Sequence, residues 1–253
     1  MKRIHILICI LFCVFLAACS KKTEENHSTT KAESTSTADA AAEATNNEVA
    51  ADEKLGTKWG DEIDSHVTEV DLKRKTDAPL AEAIVQYADK KYQGKSVNSI
   101  SLAAGKMSFS IVDDHGKNIP MYRVGQTYYL SGREGQSYQL KYENHTGRTF
   151  EVVASVDGVD VINGSEASRS NSGYVLNAHD SLTIEGFRKS DSAVASFTFS
   201  QPEDSYAANS EHGSIQNAGV IGTVVYELEA PEEDAKPVNK YASPPNAFPA
   251  DHK

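Results

Sequence analysis

Thr149-Phe150-Glu151-Val152-Val153-Ala154-Ser155-Val156, followed by Asp157-Gly158 and Val159-Asp160-Val161, decides the fold. In an extended chain Phe150, Val152, Ala154 and Val156 fall on one face, and Thr149, Glu151, Val153 and Ser155 on the other. One face is apolar and the other mostly polar, as a half-buried strand requires. Asp157-Gly158 suits a two-residue turn whose central residues both take positive φ. The stretch therefore reads as a hairpin. Ala193 to Ser200 repeats the alternation, which places Phe197 and Phe199 in the core.

Outward from these two stretches, β-branched and aromatic runs recur with turn residues between them. Strands are expected at Met107 to Val112, Ile119 to Val124, Thr127 to Ser131, Ser137 to Glu143, Val159 to Ile162, Tyr174 to Leu176, Ser181 to Phe187 and Val220 to Glu229. With no crossover helices between them, two packed antiparallel sheets cover the apolar faces best. The expected fold is mainly β, a jelly-roll-like antiparallel β-sandwich over residues 55–229. One short N-terminal helix precedes it: Asp77-Ala78-Pro79 followed by Leu80, Ile84, Tyr87, Ala88 and Lys91 has a capping Asp and an early Pro, predicting a helix from Pro79 to about Tyr92. Ile84-Val85-Gln86-Tyr87 also fits a strand.

The flanks differ sharply in composition. Met1-Lys2-Arg3 and the apolar run Ile4 to Phe15 have the layout of a secretory signal, too short to cross a bilayer as a helix. Leu16-Ala17-Ala18-Cys19 resembles the bacterial lipobox, which implies cleavage after residue 18, thioether lipidation of Cys19 and stable attachment through several acyl chains. By resemblance to lipoproteins of Gram-negative bacteria, Ser20 implies transfer to the outer membrane, with the protein on its periplasmic face. Residues 19–54 are poor in large apolar side chains and read as a flexible tether. Residues 230–253 carry Pro231, Pro237, Pro244, Pro245 and Pro249 and read as a disordered tail.

Cys9 and Cys13 lie in the signal and Cys19 takes the lipid, leaving no thiol for a disulfide, a metal or a nucleophile. The formal charge is -11, more negative once Lys2 and Arg3 are removed. Such a balance disfavours a nucleic-acid surface.

Candidate site residues are few. Trp59, the sole tryptophan, lies in Leu55-Gly56-Thr57-Lys58-Trp59-Gly60, where it reads as a plug under a sheet or as a stacking platform for a ligand. Asp157 and Asp160 supply turn chemistry, with Arg188 as a possible partner; together with Asn163 they could instead hold calcium, although the EF-hand spacing is absent. Tyr206 is expected to pack with its hydroxyl satisfied. The histidines show no metal-ligand spacing, and Gly-x-Ser-x-Gly is missing. Asp204, His212 and Ser214 are triad residue types that a serine-rich chain supplies by chance. No catalytic residue, metal or cofactor is expected.

Leu55 to Glu62, continuing through Ser65, Val67, Arg74 and Pro79, resembles a family of uncharacterised bacterial exported proteins. So do Ser155 to Gly164, Gly173 to Leu176, Ile184 to Arg188, Ala193 to Phe199, Ser205 to Ala208 and Gly219 to Gly222. The resemblance implies one exported β domain and no particular activity. The expected function is a protein-binding or scaffold module of the cell envelope, tethered by lipid on Cys19. The alternatives are an accessory of an envelope-spanning secretion system, and binding or hydrolysis of envelope glycan.

Overall fold

The computed structural model describes residues 47–229, in which fifteen strands, β1 to β15 in chain order, form two sheets. Sheet one runs β1 (Gly56–Asp64), β14 (Ala193–Ser200), β8 (Ser137–Asn144), β5 (Met107–Val112) and β4 (Ile100–Leu102), with β12 (Ser181–Ile184) on β8 and β13 (Gly186–Ser190) on β14. Sheet two runs β10 (Val159–Asp160), β9 (Phe150–Val156), β15 (Val220–Glu227), β2 (Ala81–Ala88), β7 (Thr127–Ser131), β6 (Met121–Val124) and β3 (Lys95–Val97), with β11 (Tyr174–Leu176) on β9. The described residues are mainly β, sandwich-like, with one short α-helix.

The core forms where alternating inward residues meet. Sheet one contributes Phe109, Ile111, Tyr138, Leu140, Tyr142, Phe197 and Phe199, and sheet two Val85, Tyr87, Val152, Val156, Ile221 and Val225, all buried. Aromatic rings occupy much of it: Tyr138 stacks on Phe199 at 4.4 Å and on Phe197 at 5.3 Å, and Tyr87 lies 5.0 Å from Phe199. Offset packing of this kind adds to the area each ring removes from water. The hydroxyl of Tyr142 meets Thr223 Oγ1 of the opposite sheet at 2.8 Å.

Several expectations need correction. The helix expected from Pro79 to Tyr92 is strand β2, in which Ala83, Val85 and Tyr87 point inward while Glu82, Ile84 and Gln86 point outward. Helix-forming residues give way there because β2 hydrogen-bonds on both sides, to β15 and β7, and pairing in a sheet outweighs local propensity. The short helix lies instead at Tyr206–Asn209, where the Ser205 side chain accepts from Ala208 N. The sheets are also not wholly antiparallel, since β2 and β7 run parallel, Val85 opposite Tyr128. A parallel pair needs a long crossover, and here the chain makes it by passing through β4 and β5 of the other sheet rather than through a helix. Strand β1 and the short β3 and β4 were not foreseen. The expected strand Ser181 to Phe187 divides at Glu185, whose carbonyl accepts from Phe197 N, so that β12 pairs with β8 and β13 with β14.

The folded region also begins before residue 55. The Asn47 side chain donates to Gln93 O and accepts from Gln93 N, and Lys54 bridges to Ala88. The signal segment, Cys19, the rest of the tether and the tail lie outside the described residues.

Gly186 marks the tightest approach inside sheet one. A Cβ there would stand 1.9 Å from the carbonyl oxygen of Ala195, which is backbone and cannot swing aside. Gly186→Ala should lower unfolding free energy by about 1–3 kcal/mol or more, read as a shifted urea midpoint. An unchanged midpoint would contradict the β13–β14 register.

Candidate functional site

Asp157, Trp59 and Tyr206 come together where β1 of sheet one meets the β9–β10 hairpin of sheet two, since Thr57 N donates to Asp157 and Tyr206 stacks on Trp59. The hairpin turn has φ of 54° at Asp157 and 75° at Gly158, the geometry expected of Asp-Gly. Asp157 does more than turn the chain. Its carboxylate is completely buried; Oδ2 accepts from Thr57 N at 2.7 Å, and Oδ1 from Tyr87 OH at 2.6 Å, Gly219 N at 2.9 Å and Val220 N at 3.4 Å. Thr57 Oγ1 meets the hydroxyls of Tyr87 and Tyr138 at 2.7 and 2.8 Å. One carboxylate thus ties both sheets together.

Burial pushes the Asp157 carboxyl up to about 6, while the hydrogen bonds from Tyr87, Thr57, Gly219 and Val220 pull it back down. Burial, followed by the charge of Asp157, raises the phenols of Tyr87 and Tyr138 well above their ordinary value.

Asp160 is buried as well, but it has no arginine partner. Its Oδ1 accepts from Ile162 N and Asn163 N at 2.9 and 3.0 Å, and its Oδ2 from Asn171 Nδ2 at 3.1 Å. Arg188 makes no ion pair with either aspartate. Its guanidinium donates to Ser65 O, Ser65 Oγ, Ser190 O and Tyr174 OH. A carboxylate already filled by backbone N–H donors leaves an arginine nothing to pair with. Among the described residues no group of three or more His, Cys, Asp or Glu is placed to hold a metal ion.

Trp59 is not a plug in a glycine-bounded turn. It stands on β1 with 43% of its surface exposed. Tyr206 stacks on it at 5.0 Å with 30° between planes, Phe187 lies 4.8 Å from Tyr206, and Phe197 meets Phe187 edge-on at 5.0 Å. The result is an aromatic column running from the core to a ledge. Lys189 Nζ lies 5.9 Å from the Trp59 ring centroid and is ion-paired with Glu62. The triad residue types are not assembled: the Ser214 hydroxyl accepts from Gln216 N to cap a turn of 3-10 helix.

The sequence did not reveal a groove of about 170 Å³ on the outer face of sheet two. Its floor is the cross-strand row Ser155, Gly222 and Ile84, beside a second row of Val153, Val224 and Glu82. Its wall is the segment Ala167 to Arg169, which is firmly held. Arg169 forms a forked pair with Glu82 at 2.7 and 2.8 Å, and its carbonyl accepts from Tyr226 OH and Arg74 Nη1. Arg74 also pairs with Glu151 through two nitrogens and covers the Tyr226 ring at 3.8 Å. Asp160 holds the far end of the same loop through Asn171. Ile84 stands in this groove 56% exposed. A wider depression of about 770 Å³, between Glu53, Lys90 and Arg133 to Gln136, mixes both charge signs, and its Lys90 is paired with Glu53.

The fold and these surfaces define a two-sheet β protein with a preformed groove and an aromatic ledge. No protein-family model, curated protein or solved structure matches the chain.

The Asp157 clasp gives a signed prediction. Between pH 3.8 and about 6 the folded chain keeps a proton that the unfolded chain has released, so this group's contribution to stability falls as pH rises through that window, by on the order of 3 kcal/mol in all. Paired carboxylates such as Glu82 and Glu227, held below their ordinary value mainly by hydrogen bonds from Arg169 and Lys75, act in the opposite sense. The measurement is therefore a difference. Asp157→Asn keeps a residue type that tolerates the left-handed turn but cannot titrate. The stability of the wild type minus that of the variant should decline from pH 4 to pH 6.5, measured by urea unfolding. A flat difference would mean that Asp157 stays ionised throughout.

Proposed function

We propose that the protein is a lipid-anchored binding or scaffold module of the cell envelope, exported as one of a family of β domains. It is held by lipid on Cys19 at the periplasmic face of the outer membrane and presents the sheet-two groove to an envelope protein. The observation that carries this reading is Ile84, exposed on the outer face of sheet two beside the segment that covers the rest of that face. Around it the half-buried Val224, Ala167 and Gly222 line the groove over a buried Val153, so the exposed isoleucine has apolar neighbours beside it, and an apolar spot with a polar rim suits a small contact surface. The Glu82–Arg169 pair supplies that rim. A wall fixed in advance lowers the ordering cost of binding.

The Ile84 side chain points away from the core, so Ile84→Glu should change stability by less than about 0.5 kcal/mol while abolishing partner capture. A photoreactive residue at position 84, tested in intact cells, should cross-link one defined envelope protein, and a control at Lys95 on the edge of sheet two should not. Equal labelling at both positions would remove the groove from the proposal. The anchor has its own test. Cys19→Ser should abolish labelling by a palmitate analogue and leave unprocessed precursor, and a variant processed and labelled as before would refute lipid attachment at Cys19.

A further inference from the structure

The Trp59 ledge has chemistry that the groove lacks. A tryptophan on an edge strand exposes apolar surface, and burial beneath the neighbouring segment would normally cover it. Here the covering segment, Pro202 to Asn209, places Tyr206 under one side of the indole and leaves 43% of the side chain open. The support is rigid, because Tyr206 rests on Phe187, Phe187 on Phe197, and Phe197 is fully buried between β1 and β8. Gly164 is part of this support: a Cβ there would come within 2.6 Å of the Tyr206 hydroxyl. The rim carries both hydrogen-bonding senses in one ion pair, with the Lys189 ammonium donating and the Glu62 carboxylate accepting.

We propose that Trp59 is a stacking platform for a pyranose ring of an unbranched, straight-chain oligosaccharide of glucose-type configuration. The face of such a ring is a flat array of C–H bonds carrying partial positive charge, complementary to the negative face of an indole. Its equatorial hydroxyls project from the ring edge within reach of Glu62 and of Lys189, whose ammonium lies over the indole at 5.9 Å in the free protein and moves toward the rim when a ring stacks. Trp59 is exposed at the surface of an edge strand, outside the groove and the wide depression. The surroundings favour a sugar over an apolar protein anchor, since exposed Asp61, Glu62 and Asp64 follow Trp59 on the same strand. A protein hot spot is instead ringed by contacts that exclude water. The inference rests on the reading of the chain as a binding module and adds a second surface to it, on the other sheet.

Because Trp59 is the only tryptophan, its emission reports on the ledge alone. The full lipidated chain, in a detergent without sugar headgroups, is titrated with chitohexaose and cellohexaose. A saturable change in emission is expected, with curved maltohexaose binding more weakly. Calorimetry should then show affinity reduced by about tenfold or more in Trp59→Ala, retained in Trp59→Phe and unchanged in Ile84→Glu. Circular dichroism confirms that each variant is folded, and Lys189→Ala, which leaves the aromatic column untouched, should weaken binding less than Trp59→Ala. No saturable response to either sugar up to about 10 mM, or an equal response in Trp59→Ala, overturns the assignment. A photoreactive residue at position 59 that captures a protein, without any sugar response, overturns it in favour of a protein contact. If the sugar fails while cross-linking at position 84 succeeds, only this inference falls; if both fail, the binding-module reading falls with it.

Discussion

A buried carboxylate holds the two sheets in register. Asp157 sits at the tip of one hairpin and is bonded to the first residues of β1, the end of β2 and the entry to β15. Desolvating a carboxylate is costly unless donors surround it, and here three backbone N–H groups and a phenol do so. The requirement runs in both directions. Thr57 faces Phe199 as a pair that does not exchange hydrogen bonds, so its N–H points away from β14 and needs an acceptor, which Asp157 supplies. Remove the carboxylate and Thr57 N–H loses its acceptor, leaving the contact between the Thr57 and Tyr87 hydroxyls to link β1 to sheet two. Lose the β1 register and the carboxylate has no reason to stay buried.

Much of the fold was legible because alternation is a local signal. Ser137 to Asn144 shows it directly, with Tyr138, Leu140 and Tyr142 buried between half-buried neighbours. At β2 the helix reading fails and the strand alternative at Ile84 to Tyr87 is what forms, and the ambiguity has a physical reason. Ile84 breaks its alternation by facing outward, and with an Asp-Ala-Pro start the remaining pattern looks helical. The anomaly that made the strand ambiguous is also the feature that makes its outer face a candidate contact surface. Strand β1 was missed because Gly60 and the bulge between Trp59 and Glu62 interrupt its period.

The site was legible only in part. Aspartate in a turn and a lone tryptophan stand out in a sequence, but their partners do not. The acceptor of Thr57 N lies 100 residues away, and the Arg74–Glu151 clamp spans 77. Pairing at such distances leaves no periodic trace. Asp160 and Arg188 illustrate the limit in another way: their residue types suggested an ion pair, but each is satisfied by nearby backbone groups and hydroxyls. The groove could not have been foreseen either, because it depends on the β2–β15–β9 register that brings Ile84, Gly222 and Ser155 into one row.

The two proposed surfaces share a scaffold but not a side chain. Strand β9 lays Val153 and Ser155 under the groove, and the hairpin that continues it carries Asp157 toward β1 and Asp160 toward the groove wall. Ile84 and Trp59 lie on different sheets, and neither is in the Asp157 network. Substitutions at sites without shared partners usually add, so the energetic effects of changing Ile84 and Trp59 should be independent. A change at Asp157 acts differently: it loosens β1, which bears the ledge, and disturbs the hairpin that supports the groove. Asp157 is thus the position from which one substitution would reach both surfaces, although the surfaces themselves share no partner.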